Sequence, residues 1–341
     1  MYYKKKSFLI ITVSLEKTGR GHIIRSKNLY NFLKKKRSAN LVVIDKKIFK
    51  NKSNYVFFDN LKKLLTNNKI IILDLSNYFF LRSPFFLKLF YFLKKYENKI
   101  VIIDSLYRDS ILNYYNFINP IMIYPYIMNK KSLFNLKYYT NKKRYLIGPQ
   151  YFIADKKNNN VKVNKKTTRK ILVSCGGSDK ENCTLKVINF YLKNIINFKI
   201  TCVIGPFFNK MNVLKIKNFV KYYKLEKKVK LLFNVKNLVR IFDKFGFIIC
   251  TSGVTKYEVI AHRIPSIVIT PNKYQEKYHS DFARKKISFT IKSSDLKNKN
   301  DFIIKFLNNF ILLKRMVNRA AKFIDFKGSE RIEKILISDF K

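Results

Sequence analysis

Short apolar runs alternate along the chain with longer stretches in which apolar residues recur every three or four positions. Runs at 7–14, 40–45, 69–74 and 99–104 have the length and β-branched content of buried strands, with weaker ones at 121–124 and 144–147. Helical periodicity falls at 22–36, 59–67 and 84–96. Residues 155–169 are polar and nearly featureless, and read as a linker. After them the alternation restarts: strands at 171–174, 198–204, 229–233, 246–250 and 265–269, helices at 180–194, 210–224, 236–243, 255–262 and 275–286. The segments 299–325 and 328–341 read as helical. Strands alternating with helices argue for parallel sheets and crossover connections. The expectation is α/β, with a domain over 1–154, a linker over 155–169, a second domain over 170–325 and a C-terminal helix over 326–341 placed to pack back on the first domain. No internal repeat of solenoid period is present.

Composition adds a large charge to this picture. The 341 residues carry 71 Lys+Arg against 21 Asp+Glu, a formal net charge of +50. Such a surplus can serve nucleic acid or an anionic surface. Here the lysines spread along the whole chain. Phe, Tyr, Ile, Asn and Lys, all with AT-rich codons, are abundant, while Gly is scarce and Trp absent. The charge therefore reads as compositional, with no nucleic-acid partner expected. Hydrophobic residues make up 47% of the chain, enough for a substantial core and against wholesale disorder. Cys175, Cys183, Cys202 and Cys250 form no Cys-x-x-Cys and fit no zinc module; they read as small buried hydrophobes, suited to a reducing cytoplasm. The apolar run near the start leads straight into a glycine loop, so it reads as a first strand and not as a signal sequence. Segment 78–96 is aromatic and interrupted by Arg82, Pro84 and Lys88. It reads as a core helix, with an interfacial helix making weak peripheral membrane contact as the alternative.

Three loops carry candidate chemistry. The first is "TGRGHIIRS", between the first strand and the first helix, with Gly19, Gly21, His22 and Arg25. Glycines there let a ligand approach the backbone, and a helix N-terminus offers free N–H groups to an anion. Asp45 closes the second strand where a dinucleotide site has its ribose acid, but Ile24 fills the third glycine position of that fingerprint. A histidine at a helix start near a bound anion is well placed for proton transfer. The second loop is "SCGGSDKEN", where Gly176 and Gly177 allow a backbone nest for phosphate and Ser178 and Asp179 either meet the ligand or cap the helix. The third is "CTSGVTKYE": Ser252, Gly253 and Thr255 suit a diphosphate, and Glu258 would grip vicinal ribose hydroxyls. Asn272 and Gln275 follow at the next helix start. His262 reads as packing or helix-end compensation. No Walker loop, Gly-x-Ser-x-Gly, His-Glu-x-x-His or Asp-x-Asp is present, so neither a metal nor a cofactor is expected.

Together these stretches resemble the GT-B nucleotide-sugar enzymes around the lipid II N-acetylglucosaminyltransferase. They resemble more closely the UDP-2,4-diacetamido-2,4,6-trideoxy-β-L-altropyranose hydrolase family of pseudaminic acid biosynthesis. Gly19, Gly21, His22 and Arg25 match that family's G-x-G-H-x-x-R loop, and "SCGGSD" matches its F-G-G-S/A-D motif with Cys175 in the Phe place. Ser252, Gly253, Glu258 and Gln275 match its late motif. Asp74-Leu75-Ser76 stands where the family has Asp-His-Tyr, and lacks the aromatic member. The resemblance implies a GT-B fold, two Rossmann-like parallel-sheet domains facing across a cleft. The first domain would take the sugar or acceptor side and the second the nucleotide. It implies a cytoplasmic, metal-independent hydrolase acting on a UDP-sugar. His22 would be the general base that activates water, with Gly19, Gly21, Arg25, Gly176, Gly177, Ser178, Asp179, Ser252, Gly253, Thr255, Glu258, Asn272 and Gln275 around the substrate. A GT-B glycosyltransferase using the same UDP-sugar is the alternative.

Overall fold

A computed structural model describes residues 6–15, 21–50, 55–65, 69–75, 78–104, 110–128, 145–155, 169–194, 197–297 and 300–340. The chain divides into two compact units, one of residues 1–154 with 326–341, the other of 155–325.

The first unit is built on six parallel strands: β1 (Ser7–Val13), β2 (Ala39–Ile44), β3 (Lys69–Asp74), β4 (Ile100–Ile103), β5 (Ile121–Tyr124) and β6 (Tyr145–Ile147). They lie in the order β2-β1-β3-β4-β5-β6. β1, β3, β4 and β5 are buried nearly throughout, as their unbroken apolar runs require when helices cover both faces. The connections are α1 (Gly21–Lys34), α2 (Lys46–Lys50), α3 (Tyr55–Leu64), α4 (Tyr78–Leu81) and α5 (Pro84–Leu93). α2 was not expected from the pattern, and α3 starts four residues before the expected 59. Pro84 divides segment 78–96 by opening α5 at a position where its missing N–H costs nothing. Phe85, Phe86, Leu89, Phe90 and Leu93 of α5 are buried, so its aromatic stripe is core.

The second unit repeats the scheme with β7 (Lys170–Ser174), β8 (Lys199–Ile204), β9 (Val229–Phe233), β10 (Phe247–Thr251), β11 (Ser266–Thr270) and β12 (Phe289–Lys292). Their order is β12-β11-β10-β7-β8-β9, again all parallel. Its helices are α6 (Cys183–Asn194), α7 (Lys210–Tyr222), α8 (Thr255–Ala261), α9 (Lys273–Arg284), α10 (Asn300–Asn308) and α11 (Phe310–Ala320). Three details differ from the expectation. The helix at 236–243 is a 3-10 turn over Val239–Lys244. The edge strand β12 was not anticipated, since four residues carry little periodicity. The segment 299–325 breaks at Asn309, whose side chain accepts the Leu312 N–H at 2.9 Å and starts a new helix. The chain closes with α12 (Gly328–Asp339), which belongs to the first unit. There Ile332 and Leu336 join Phe8, Ile10, Leu29 and Ile72 in the core, and buried Glu333 meets Arg37 at 3.3 Å.

In an open parallel sheet, ligands bind beyond the carboxyl ends of the strands where the strand order reverses. That point lies between β1 and β3 in the first unit, and between β7 and β10 in the second. The three sequence loops leave β1, β7 and β10 there.

Candidate active site

In the first unit the register sets Thr12 of β1 beside Asp74 of β3. α1 leaves β1 at the same edge, and His22, Arg25 and Ser26, spaced i, i+3 and i+4, fall on one face of it. All three converge on Asp74. His22 Nδ1 lies 2.5 Å from Asp74 Oδ1. Arg25 grips both oxygens, Nη2 to Oδ1 at 2.6 Å and Nε to Oδ2 at 2.9 Å. Ser26 donates to Oδ2 at 2.9 Å, and Thr12 donates to the Asp74 backbone carbonyl at 3.3 Å. Arg25 Nη1 donates to the Tyr126 hydroxyl beyond β5 at 2.9 Å.

Asp74 is fully buried and Arg25 nearly so, whereas the His22 side chain keeps 16% of its surface exposed. Burial alone would push the Asp74 carboxyl up, but Arg25 and His22 hold it well below the usual carboxylate range. Burial acts against the Arg25 charge too, and Asp74 more than restores it. A fixed carboxylate on Nδ1 places the imidazole proton there and leaves the lone pair on Nε2, the atom that can take a proton from a substrate or water. Gly21 opens α1 beside His22 and is half-buried. Gly19 lies outside the described residues. Asp74, Ser26 and Tyr126 were not anticipated as a set. A carboxylate ending the strand next to β1 was the available signal, since neighbouring parallel strands bring their carboxyl ends together. The other buried carboxylate on this edge, Asp104, accepts the Ile111 N–H at 3.0 Å and the Tyr124 hydroxyl at 3.3 Å, and so organises a turn.

In the second unit the loops after β7, β10 and β11 meet. Gly176 takes a left-handed φ of +86°, and a methyl group there would stand 3.8 Å from Thr251 Oγ1. Gly205, after β8, was missed from sequence: a Cβ on it would lie 2.5 Å from the Gly177 carbonyl oxygen and 2.6 Å from that of Gly176. It lets the double-glycine turn lie flat against β8, where Phe207 N–H donates to Gly177 O at 2.9 Å. Ser178 is half-buried. Asp179 takes the second of its two expected tasks, the helix cap. Its two oxygens accept the Cys183 and Thr184 N–H groups at 2.8 Å each, which caps α6.

Ser252 donates to Gln275 Oε1 at 2.5 Å, tying the loop after β10 to α9. Asn272 caps α9 through the Gln275 N–H at 3.0 Å and reaches Glu181 in the β7 loop at 3.4 Å. Gly253 is exposed, with nothing within 4 Å of the Cβ it lacks. Thr255 and the half-buried Glu258 follow on α8 and are hydrogen-bonded to each other. Burial pushes the Glu258 carboxyl up to about 7, against the Thr255 bond that favours its charge.

Behind this loop Lys256 is buried, its ammonium 3.1 Å from His279 Nδ1, and His279 Nε2 lies 2.9 Å from Thr290 Oγ1. Burial lowers Lys256 to about 7, and it lowers His279 as well. His262 is buried with its ring 5.6 Å from that of Phe242, in line with a packing role. All four cysteines are buried thiols, each raised by burial. Among the described residues no group of three or more His, Cys, Asp or Glu could hold a metal ion, and no helix is long and apolar enough to cross a membrane.

No family model matches the chain. An uncharacterized protein of Methanocaldococcus jannaschii is 29% identical over 304 residues, 81% of this chain and 58% of that protein's length. The chain thus spans little more than half of the curated relative it matches. Solved structures agree over nearly the whole chain. Acinetobacter baumannii MurG aligns over 98% of this chain and 99% of its own, with a TM-score of 0.61 and 10% identity. Anabaena HepE, in complex with UDP and glucose, aligns over 98% and 100%, with a TM-score of 0.63 and 10% identity. Staphylococcus aureus MnaA, in complex with UDP, aligns over 96% and 95%, with a TM-score of 0.59 and 12% identity. The fold is α/β of GT-B type, two Rossmann-like parallel-sheet units.

Proposed function

We propose that the protein is a metal-independent enzyme that cleaves the bond between UDP and a sugar, with His22 as general base. The observation that carries this reading is the His22–Asp74 pair at 2.5 Å, because a fully buried carboxylate on Nδ1 gives a partly exposed imidazole the tautomer and the charge support a base needs. His22 Nε2 takes a proton from water as the water oxygen bonds to the anomeric carbon. The bond from that carbon to the diphosphate oxygen breaks, its electron pair leaves with UDP, and the configuration inverts. Asp74 stabilises the imidazolium that forms. Gly21 and Arg25 belong to the base's helix, and Gly19 precedes it in sequence.

The second unit supports the nucleotide half of the proposal. Gly176, Gly177 and Ser178, with Ser252, Gly253 and Thr255, flank the switch point between β7 and β10 and take the diphosphate. Glu258 takes the ribose hydroxyls, and Asn272 and Gln275 hold the loops together. Anabaena HepE and Staphylococcus aureus MnaA, which share the fold, were solved as complexes with UDP, and this supports UDP as the nucleotide.

With water as acceptor the reaction is hydrolysis of a UDP-linked amino or deoxy sugar in surface-glycan, pseudaminic acid-like biosynthesis, carried out in the cytoplasm. The second reading, transfer to a sugar or lipid-linked acceptor, draws on the fold shared with MurG. UDP release from a panel of UDP-sugars, with and without acceptor and without added metal, separates the two. Release without acceptor supports hydrolysis, and release only with acceptor supports transfer. Tight UDP binding with no turnover by either route would overturn both.

A further inference from the structure

We propose that the second unit carries a separate binding site for an amphiphilic phosphorylated anion, at the amino-terminal edge of its sheet. The glycine loops leave the carboxyl ends of β7, β8 and β10. At the opposite edge lies a groove of about 700 Å³, framed by the first residues of β7, β8 and β9, the later turns of α7 and the end of the 3-10 turn before β10. Its size is that of a small-molecule site. Eight of its 15 lining residues are lysines, with Glu226 the one acid among them. Lys and Arg together make up 71 of the chain's 341 residues, so the groove is far richer in cations than general composition explains.

Glu226 is the one counter-charge in the lining, against eight ammonium groups. Lys170, Lys199, Lys228 and Lys244 come from four different segments, yet they face one space. Among the described residues none of the eight lysines is ion-paired with a carboxylate. Ammonium groups that outnumber their counter-charge repel one another, and a bound anion lowers that cost.

The floor selects the kind of anion. Half-buried Leu231 and the hydrocarbon stems of the lysines line it beneath the cationic rim, over Ile200, Val220, Val229 and Phe245, which are themselves almost closed to solvent. Free inorganic phosphate would use the rim and leave the floor wet. A ligand with a hydrocarbon or aromatic body and a phosphate head uses both, by burial below and charge above. Such a group occurs in a soluble phosphorylated metabolite and in an anionic lipid. All the cations are lysines, point charges on flexible stems, which suits a phosphate that is held without a fixed fork geometry.

The test titrates the full chain with octyl phosphate and with inorganic phosphate by calorimetry, and sediments it with vesicles of phosphatidylglycerol or phosphatidylcholine. Lys199→Glu/Lys228→Glu/Lys244→Glu is compared with Lys285→Glu/Lys314→Glu/Lys322→Glu, which has the same net charge but lies elsewhere on the unit. Both are checked for unchanged UDP binding and melting. Octyl phosphate should bind the parent at least tenfold more tightly than inorganic phosphate, and only the groove variant should lose that binding by tenfold or more. Sedimentation with phosphatidylglycerol that the groove variant abolishes identifies the lipid as the source. Octyl phosphate binding without sedimentation identifies a soluble metabolite. Equal loss in both variants, or equal affinity for the two phosphates, would overturn the proposal.

Discussion

His22 and Asp74 come from elements 52 positions apart in sequence and meet at 2.5 Å, the histidine partly exposed and the carboxylate closed to solvent. The contact is built twice over. The β1–β3 register fixes where the carboxylate stands, and the i, i+3, i+4 face of α1 fixes which side chains reach it. Arg25 and Ser26 saturate the carboxylate from the same helix, so His22 is presented by a rigid platform.

Removing the proposed base should lower turnover while leaving nucleotide affinity nearly intact. His22→Ala is expected to reduce kcat by about 10²–10⁴-fold, the usual contribution of a positioned proton acceptor. Asp74→Asn keeps the shape but removes the charge that selects the tautomer, so it should also lower kcat, with little effect on UDP affinity. Steady-state kinetics with calorimetric UDP titration checks both. Full activity in His22→Ala would end the assignment.

Arg25→Met tests the platform. It leaves a buried carboxylate with only His22 and a hydroxyl beside it, and breaking a buried pair in this way costs about 3–5 kcal/mol. The deficit should depend on pH. In the parent, Asp74 stays charged far into acid, because Arg25 holds its carboxyl low, and the stability it lends is lost only below the usual carboxylate range. In the variant burial dominates and the carboxyl rises, so protonation relieves the fold as pH falls. Melting curves of parent and variant should therefore converge between pH 7 and pH 4. A deficit that stays constant or widens would contradict this account.

Most of the sheet-and-helix order was legible, because buried parallel strands leave unbroken apolar runs such as "KIIILD" that no surface segment imitates. The misses have physical causes. β12 is four residues long with two of them half-buried, too short for a period to declare itself. The 3-10 turn at Val239–Lys244 keeps helical spacing of apolar residues while lacking the length of an α-helix. At the sites, His22 and the two glycine pairs were visible as local motifs. Asp74 was visible only as the first residue of the stretch set against Asp-His-Tyr, and its pairing with His22 was not, because that depends on strand adjacency that one sequence does not display. Gly205 was missed for the same reason: what demands a glycine there is the backbone of another loop.

Two glycine substitutions separate packing from ligand contact. Gly205→Ala drives a methyl group to 2.5 Å from a backbone carbonyl, so the double-glycine turn must move. Overpacking of this kind costs about 1–3 kcal/mol and should weaken UDP binding as well. Gly253→Ala meets nothing within 4 Å, so melting should stay within about 0.5 kcal/mol of the parent. UDP affinity should nevertheless fall, because the methyl group would occupy space assigned to the diphosphate. If Gly253→Ala binds UDP as the parent does, the diphosphate lies elsewhere.

If Glu258 lines the proposed nucleotide site, nucleotide binding should depend on pH. Burial sets its carboxyl at about 7, against 4.5 for an ordinary glutamate. The charged form is the better acceptor for ribose hydroxyls, so UDP affinity should tighten as pH rises from 6 to 8. Glu258→Gln should bind more weakly at pH 8 and lose the dependence, and calorimetry at pH 6, 7 and 8 measures it. A slope unchanged in Glu258→Gln would assign the dependence to the phosphates of UDP itself.

Lys256 makes the opposite contribution, to stability. It is packed against the rings of Tyr257 and Phe282, faces His279 Nδ1 at 3.1 Å and lies near the Cys250 thiol, with Thr290 on the far side of the imidazole. Its ammonium loses the proton at about 7 in the folded chain, against 10.5 when exposed. Between these values the unfolded chain binds one proton more than the folded one, so stability rises with pH across that window. Lys256→Met keeps an unbranched side chain of similar length without the charge. It should melt at a higher temperature than the parent at pH 7, and the advantage should shrink toward pH 10 as the parent's folded lysine becomes neutral at no further cost. The slope between pH 7 and pH 10 should be flatter in the variant. A variant that melts below the parent at pH 7, with an unchanged slope, would show that the Lys256–His279 contact holds the loop after β10 in place more strongly than burial of the ammonium opposes it.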